Sequence, residues 1–209
     1  AIVFIEALGV ACLLLVMPII AGTRGTSKPR ISLIMYFFCV GAGFMFVEIY
    51  FIKRFIILVG DPVISFMLVL AGLLFFSGLG GRWVHRKPRL NLRYTLAVLI
   101  AVLILEAVIF EIMLPGLLKQ SGVIRLSMII LILFPAGFLM GLPFPLAMRD
   151  LLDMPVQRAY AWALNGCASV LSAIAAAQVA ISWGIAHVAA AGILAYVVAG
   201  LAIVKRLRV

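Results

Sequence analysis

Five ionisable side chains lie in segments that are otherwise composed of residues suited to lipid. Glu48 is followed by Lys53 and Arg54 in one apolar stretch, while Glu106 and Glu111 lie in another. Because an ionisable side chain at membrane depth is energetically expensive, it marks a functional site or a fixed ion pair by default. These five residues are the candidate ligand-binding residues. A small acidic cluster built from the three glutamates would suit a cation, an amine or a proton.

Helical geometry limits which of these side chains can meet. Lys53 and Arg54 follow Glu48 by five and six positions, which places them about 140° and 240° around a helix axis from it. Glu48 should therefore find its partner on another helix or face water. At a rise of about 1.5 Å per residue, Glu48 and Glu111 reach similar heights in the outer half of the membrane, while Glu106 lies near the midplane. The alternative for each glutamate is that it is protonated or hydrogen-bonded to a neighbouring helix and only fixes packing.

A second candidate site is a proline-rich break within residues 134–145. Its members are Pro135, Gly137, Gly141, Pro143 and Pro145. Each proline removes a helical hydrogen bond, so the carbonyls of Leu131, Leu139 and Gly141 lose their usual donors. In lipid those carbonyls must be satisfied by protein or trapped water. The two glycines would let another helix approach closely, and the break is either a packing device or a ligand cleft.

Asn165 is the candidate partner of this break. It lies at a depth similar to that of Pro143, one to two turns into the following apolar stretch. We expect its amide to cap the broken segment, with Ser169 or Ser172 as alternatives.

Composition places the chain in a bilayer. Hydrophobic residues make up 67% of the 209 residues, charged residues only 11%, and the mean hydropathy is +1.30. A soluble domain is closer to half apolar and a quarter charged. The net charge of +10 comes from basic residues in short loops, which indicates membrane topology rather than nucleic-acid binding. The lipid bilayer is therefore the expected partner, and no nucleic acid is expected.

Seven segments are long enough to cross a bilayer core of about 30 Å. They are about 2–21, 31–52, 63–80, 94–117, 125–147, 158–181 and 184–204. If alternate connections share a side, thirteen basic residues lie on one side and four on the other. The positive-inside rule then predicts an N-terminus outside and a cytoplasmic C-terminus. The sequence predicts an all-α, polytopic bundle that forms a single integral membrane domain over residues 1–209, without a soluble domain.

No motif for soluble-type catalysis or cofactor binding is present. Cys12, Cys39 and Cys167 all lie in apolar spans and lack the spacing of a metal site, so they are interpreted as small core residues. The sequence has no nucleotide-binding loop, no nucleophile elbow and no zinc-protease motif. We therefore expect no catalytic residue, no metal and no cofactor within this chain.

The chain resembles the membrane portion of bacterial spermidine-synthase-like proteins, in which polytopic helices are joined to an aminopropyltransferase-type domain. The likeness is carried by residues 41–54 (GAGFMFVEIYFIKR) with 60–62, by 70–80 (LAGLLFFSGLG), and by 141–145 with 162–170 (WALNGCASV). In that family a glutamine often stands at the position of Lys53. The resemblance implies a bacterial inner-membrane location. It also implies that any aminopropyl transfer belongs to a soluble catalytic domain, which these 209 residues lack.

The resemblance leads to the first functional hypothesis. The chain would be a membrane anchor that also binds or passes a small cationic or amphiphilic compound, with Glu48 as the residue that meets it. A second hypothesis is an accessory helical subunit of a larger membrane complex, docked through the alanine-rich last two spans. A third is a fragment of a secondary transporter, although no internal repeat is detectable.

Overall fold

The computed structural model describes residues 9, 31–87 and 89–204, and within these ranges the chain is helical with no strand. The helices from residue 31 onward are α1 (Ile31–Val59), α2 (Pro62–Arg86), α3 (Leu92–Leu117), α4 (Gly122–Met140), α5 (Pro143–Asp150), α6 (Pro155–Ser182) and α7 (Ile185–Val204). The predicted all-α class is confirmed for this part of the chain.

Six stretches of the described chain are long and apolar enough to cross a membrane. Five coincide with α1, α2, α3, α6 and α7, and the sixth combines α4 with α5. The prediction of a multi-pass membrane protein is confirmed at this level. The predicted span at about 2–21 falls outside the described residues apart from Gly9, so the total of seven and the orientation of the termini stay predictions.

The first connection shows why α1 and α2 end and begin where they do. α1 continues to Val59 rather than ending near residue 52, because its last turns bury Phe55 and Leu58. Gly60 then adopts a φ of +85°, a left-handed conformation that glycine accepts without strain. The Asp61 carboxylate accepts a hydrogen bond from the backbone N–H of Ile64 at 2.8 Å and caps α2.

The contacts divide the described residues into two compact units, one of residues 31–46 with 147–204 and one of residues 47–146. In the first unit, α1 packs against α6 and α7 at two glycines. A Cβ at Gly41 would lie 2.6 Å from the backbone oxygen of Asn165, and one at Gly43 would lie 2.9 Å from the ring of Tyr196. Because real Cβ atoms do not approach so closely, larger residues at these positions would push the helices apart.

In the second unit, α2 and α4 run in the same direction and touch along a seam of small residues. A Cβ at Gly137 would lie 2.9 Å from the Cβ of Phe76. Nearer the ends of the helices, a Cβ at Gly141 would overlap the backbone of Ser77, and one at Gly80 would overlap the carbonyl oxygen of Phe138. The missing side chains let the two backbones approach closely, which is how helices gain contact in a solvent as apolar as their own side chains.

Candidate functional site

Glu48 is buried, with 5% of its surface exposed. It precedes Tyr50 by two positions and Arg54 by six, so on a helix with 3.6 residues per turn it lies on a different face from both. None of the described residues forms a hydrogen bond or ion pair with Glu48. Its place on α1 agrees with the expectation that Lys53 and Arg54 do not share its face.

Arg54 is paired with Glu111. Its Nη2 donates to Oε1 of Glu111, so an ion pair joins α1 to α3. The guanidinium also lies over the ring of Tyr50, with 5.8 Å from Cζ to the ring centroid, as a cation–π contact. Lys53, one position earlier, is exposed. The predicted acidic cluster stays a prediction, and within it the charge of Glu111 is compensated by Arg54.

Glu106 has a different environment from the other two glutamates. Both of its carboxylate oxygens are buried, and neither makes a hydrogen bond with a described residue. The hydroxyl of Tyr50 is near enough to interact electrostatically with Glu106 and Arg54. The backbone N–H of Ala136 also faces the carboxylate without reaching hydrogen-bond geometry. Ala136 follows Pro135, a proline inside α4, so the carboxylate on α3 lies beside the proline-containing turn of α4.

Four side chains thus form one polar group in the second unit, buried except for the half-exposed Glu111, which we call the Glu106 cluster: Tyr50, Arg54, Glu106 and Glu111. Besides the Glu106 oxygens, the Tyr50 hydroxyl and Arg54 Nε are buried without a hydrogen-bond partner among the described residues. With Arg54 and Glu111 compensating each other, an ionised Glu106 leaves the cluster with one negative charge. Burying such a charge without a partner is costly, so the site favours a bound proton or cation.

Tyr50 is the member of this cluster that the sequence interpretation missed. It precedes Arg54 by four positions, a spacing that places two side chains on one face of a helix. That spacing is a usable signal, but Tyr50 stands among aromatic and aliphatic core residues and carries no formal charge.

The proline-rich break is confined to two residues between α4 and α5. The helix before it ends with a tightened turn, in which the N–H of Leu142 donates to the carbonyl of Leu139 at 3.2 Å. The Leu139 carbonyl, which was expected to need another partner after losing its usual donor to Pro143, is thus satisfied by an i+3 bond from the protein. Pro143 begins α5 and Pro145 lies in its first turn, where a missing N–H leaves no helical bond unmade.

Asn165 is engaged with α1 in the first unit. Its backbone oxygen and its side-chain oxygen both lie against Gly41. Ser169, an alternative donor to the break, instead donates to the backbone carbonyl of Asn165 at 2.9 Å. The absence of a side chain at Gly41 thus lets Asn165 pack against α1. The expected role of Asn165 as a cap of the break stays a prediction.

A metal-binding site is not found among the described residues. Within residues 31–87 and 89–204, no group of three or more His, Cys, Asp or Glu side chains could hold a metal ion. Comparison with protein-family models, with curated proteins and with solved structures yields no match.

Proposed function

We propose that this chain is a multi-pass membrane domain that binds a small cation or amine at the Glu106 cluster and passes it across or along the membrane. The observation that carries the proposal is the Glu106 carboxylate, whose two oxygens are buried and have no hydrogen-bond partner among the described residues. A bound cation or proton would supply the missing partner.

The surrounding groups suit a monovalent cation. Arg54 is compensated by Glu111, so it does not cancel the charge of Glu106. The Tyr50 hydroxyl can accept a hydrogen bond from an ammonium group, and its ring lies in the same buried region. Pro135 lies inside α4 and deprives the carbonyl of Leu131, five residues before Ala136, of its usual helical donor, so α4 offers a free acceptor near the cluster.

The resemblance to the spermidine-synthase-like proteins favours a polyamine as the compound and the bacterial inner membrane as the location. In that arrangement the membrane domain would bind a polyamine near the membrane, and an aminopropyltransferase domain, in the same polypeptide or in another subunit, would carry out the chemistry. The chain itself would contribute no catalytic residue.

The experiment compares Glu106 on α3 with Glu48 on α1. The chain is reconstituted in proteoliposomes, and uptake of radiolabelled spermidine is measured together with equilibrium binding in detergent. We expect Glu106→Gln to abolish both signals and Glu106→Asp to restore part of them. Glu48→Gln should leave binding and uptake within about twofold of the parent, well below the tenfold loss that ~1.4 kcal/mol of binding free energy would cause.

The reverse pattern would overturn the assignment to Glu106 and support the sequence-based choice of Glu48. Unchanged binding and uptake in both variants would overturn the cation-binding function altogether. Gel filtration of each variant, with a monodisperse peak at the volume of the parent, establishes that the protein is folded.

A further inference from the structure

A cavity lies in the unit formed by residues 47–146, and no member of the Glu106 cluster lines it. It is a cleft of about 220 Å³ between the end of α1, the start of α2 and the start of α4. Its walls are apolar and include Leu58, Leu68, Leu126 and Ile129, and Arg125 is the one charged residue that lines it. We call it the Arg125 cleft.

Arg125 is held in place by three backbone carbonyls from two segments, the α3–α4 connection and the end of α1. Its Nε donates to Gln120 at 2.9 Å, its Nη2 to Leu118 at 3.0 Å and its Nη1 to Leu58 at 3.2 Å. A guanidinium has five N–H groups, so two have no partner in this set. The three bonds fix the group at the end of the bundle where α1 ends and α4 begins.

The charge of Arg125 is uncompensated within the described chain. Its three acceptors are neutral carbonyls, and neither of the two ion pairs among the described residues includes it. The cleft is therefore amphipathic, with an apolar wall and a fixed positive group at one end. It lies where three membrane-spanning helices begin or end, which is the level of lipid head groups.

We propose that the Arg125 cleft binds an anionic phospholipid, with an acyl chain against the leucines and the phosphate on the guanidinium. The charge complementarity selects the head group, because a guanidinium binds phosphate through two parallel N–H bonds. The apolar wall selects a lipid over a water-soluble anion, because only an acyl chain gains by covering it.

The test uses native mass spectrometry to measure which lipids the full chain retains. The protein is first equilibrated in detergent that contains equal amounts of phosphatidylglycerol and phosphatidylcholine with identical acyl chains, and the detergent is then removed in the spectrometer. The parent should retain phosphatidylglycerol preferentially. Arg125→Gln should reduce that preference by about fivefold, equivalent to the ~1 kcal/mol that one basic residue contributes near an anionic surface.

A pair of tryptophan variants separates the cleft from the rest of the surface. Leu126→Trp fills the cleft and should lower phosphatidylglycerol retention by about tenfold, or ~1.4 kcal/mol. Leu131→Trp adds the same bulk on α4 at a side chain that is 63% exposed and is not part of the cleft, so it should have no effect.

Equal retention of the two lipids by the parent, or equal effects of the two tryptophan variants, would overturn the proposal. Retention in Leu126→Trp at the level of the parent would do the same. Spermidine binding is measured in the same samples, and because the Arg125 cleft does not include Glu106, loss of lipid with retained spermidine binding leaves the proposed function intact.

Discussion

Arg54 on α1 donates to the carboxylate of Glu111 on α3, 57 positions later in the chain. The two side chains are unequally exposed, at 13% for Arg54 and 47% for Glu111. The ion pair therefore joins a largely buried guanidinium to a carboxylate that is about half exposed. It also leaves Glu106 as the member of the cluster whose charge no described residue compensates.

A double-mutant cycle measures this pair. We expect Arg54→Gln and Glu111→Gln each to lower the free energy of unfolding, and the double variant to lower it by less than their sum. The coupling energy should be about 1 kcal/mol, because the half-exposed carboxylate is partly screened. Thermal unfolding in detergent provides the measurement.

Lys53→Gln is the matched control, since Lys53 is the adjacent basic residue and is exposed. It should change the free energy of unfolding by no more than about 0.5 kcal/mol. Strictly additive effects of the Arg54 and Glu111 variants would show that the ion pair contributes nothing to stability.

The glycine seam between α2 and α4 gives a sharper stability prediction. Gly141→Ala places a Cβ into the backbone of Ser77, and Gly80→Ala places one into the carbonyl oxygen of Phe138. Because backbone atoms cannot move aside as a flexible side chain can, each variant should lose about 1–3 kcal/mol of unfolding free energy.

Gly78→Ala on α2 is the control for the seam, because a Cβ at Gly78 would have no neighbour within 4 Å. It should be neutral or should stabilise the helix by up to about 1 kcal/mol. All three variants are compared by thermal unfolding in one detergent. A loss at Gly78 as large as that at Gly141 would mean that the effect comes from the helix itself and not from the seam.

The predicted orientation is testable by cysteine labelling. Arg125 bonds to the carbonyl of Leu58, so the α1–α2 and α3–α4 connections lie at the same end of the second unit. The charge distribution predicts that this end faces outward. In a background without native cysteines, a membrane-impermeant maleimide should label Gln120→Cys in intact cells. It should label Arg89→Cys only after permeabilisation. The opposite pattern would reverse the topology.

The sequence alone predicted the features that depend on local physical properties, namely the membrane spans and the break near residues 143–145. Length and hydropathy identify a membrane span without reference to its neighbours, and six described stretches meet that requirement. Prolines at 143 and 145 likewise predicted a break, because a missing N–H acts within its own helix. The end of α1 was predicted too early, at about residue 52, because the buried face that Phe55 and Leu58 continue depends on the neighbouring helices.

Side-chain partnerships needed the tertiary structure. The sequence identified Glu106, Glu111 and Arg54 as unusual residues in apolar surroundings, but their partners depend on which helix faces meet. The structure pairs Arg54 with Glu111 and places Glu106 beside Tyr50 and α4. The physical reason is that the cost of a buried charge is local, whereas its compensation comes from residues brought near by packing.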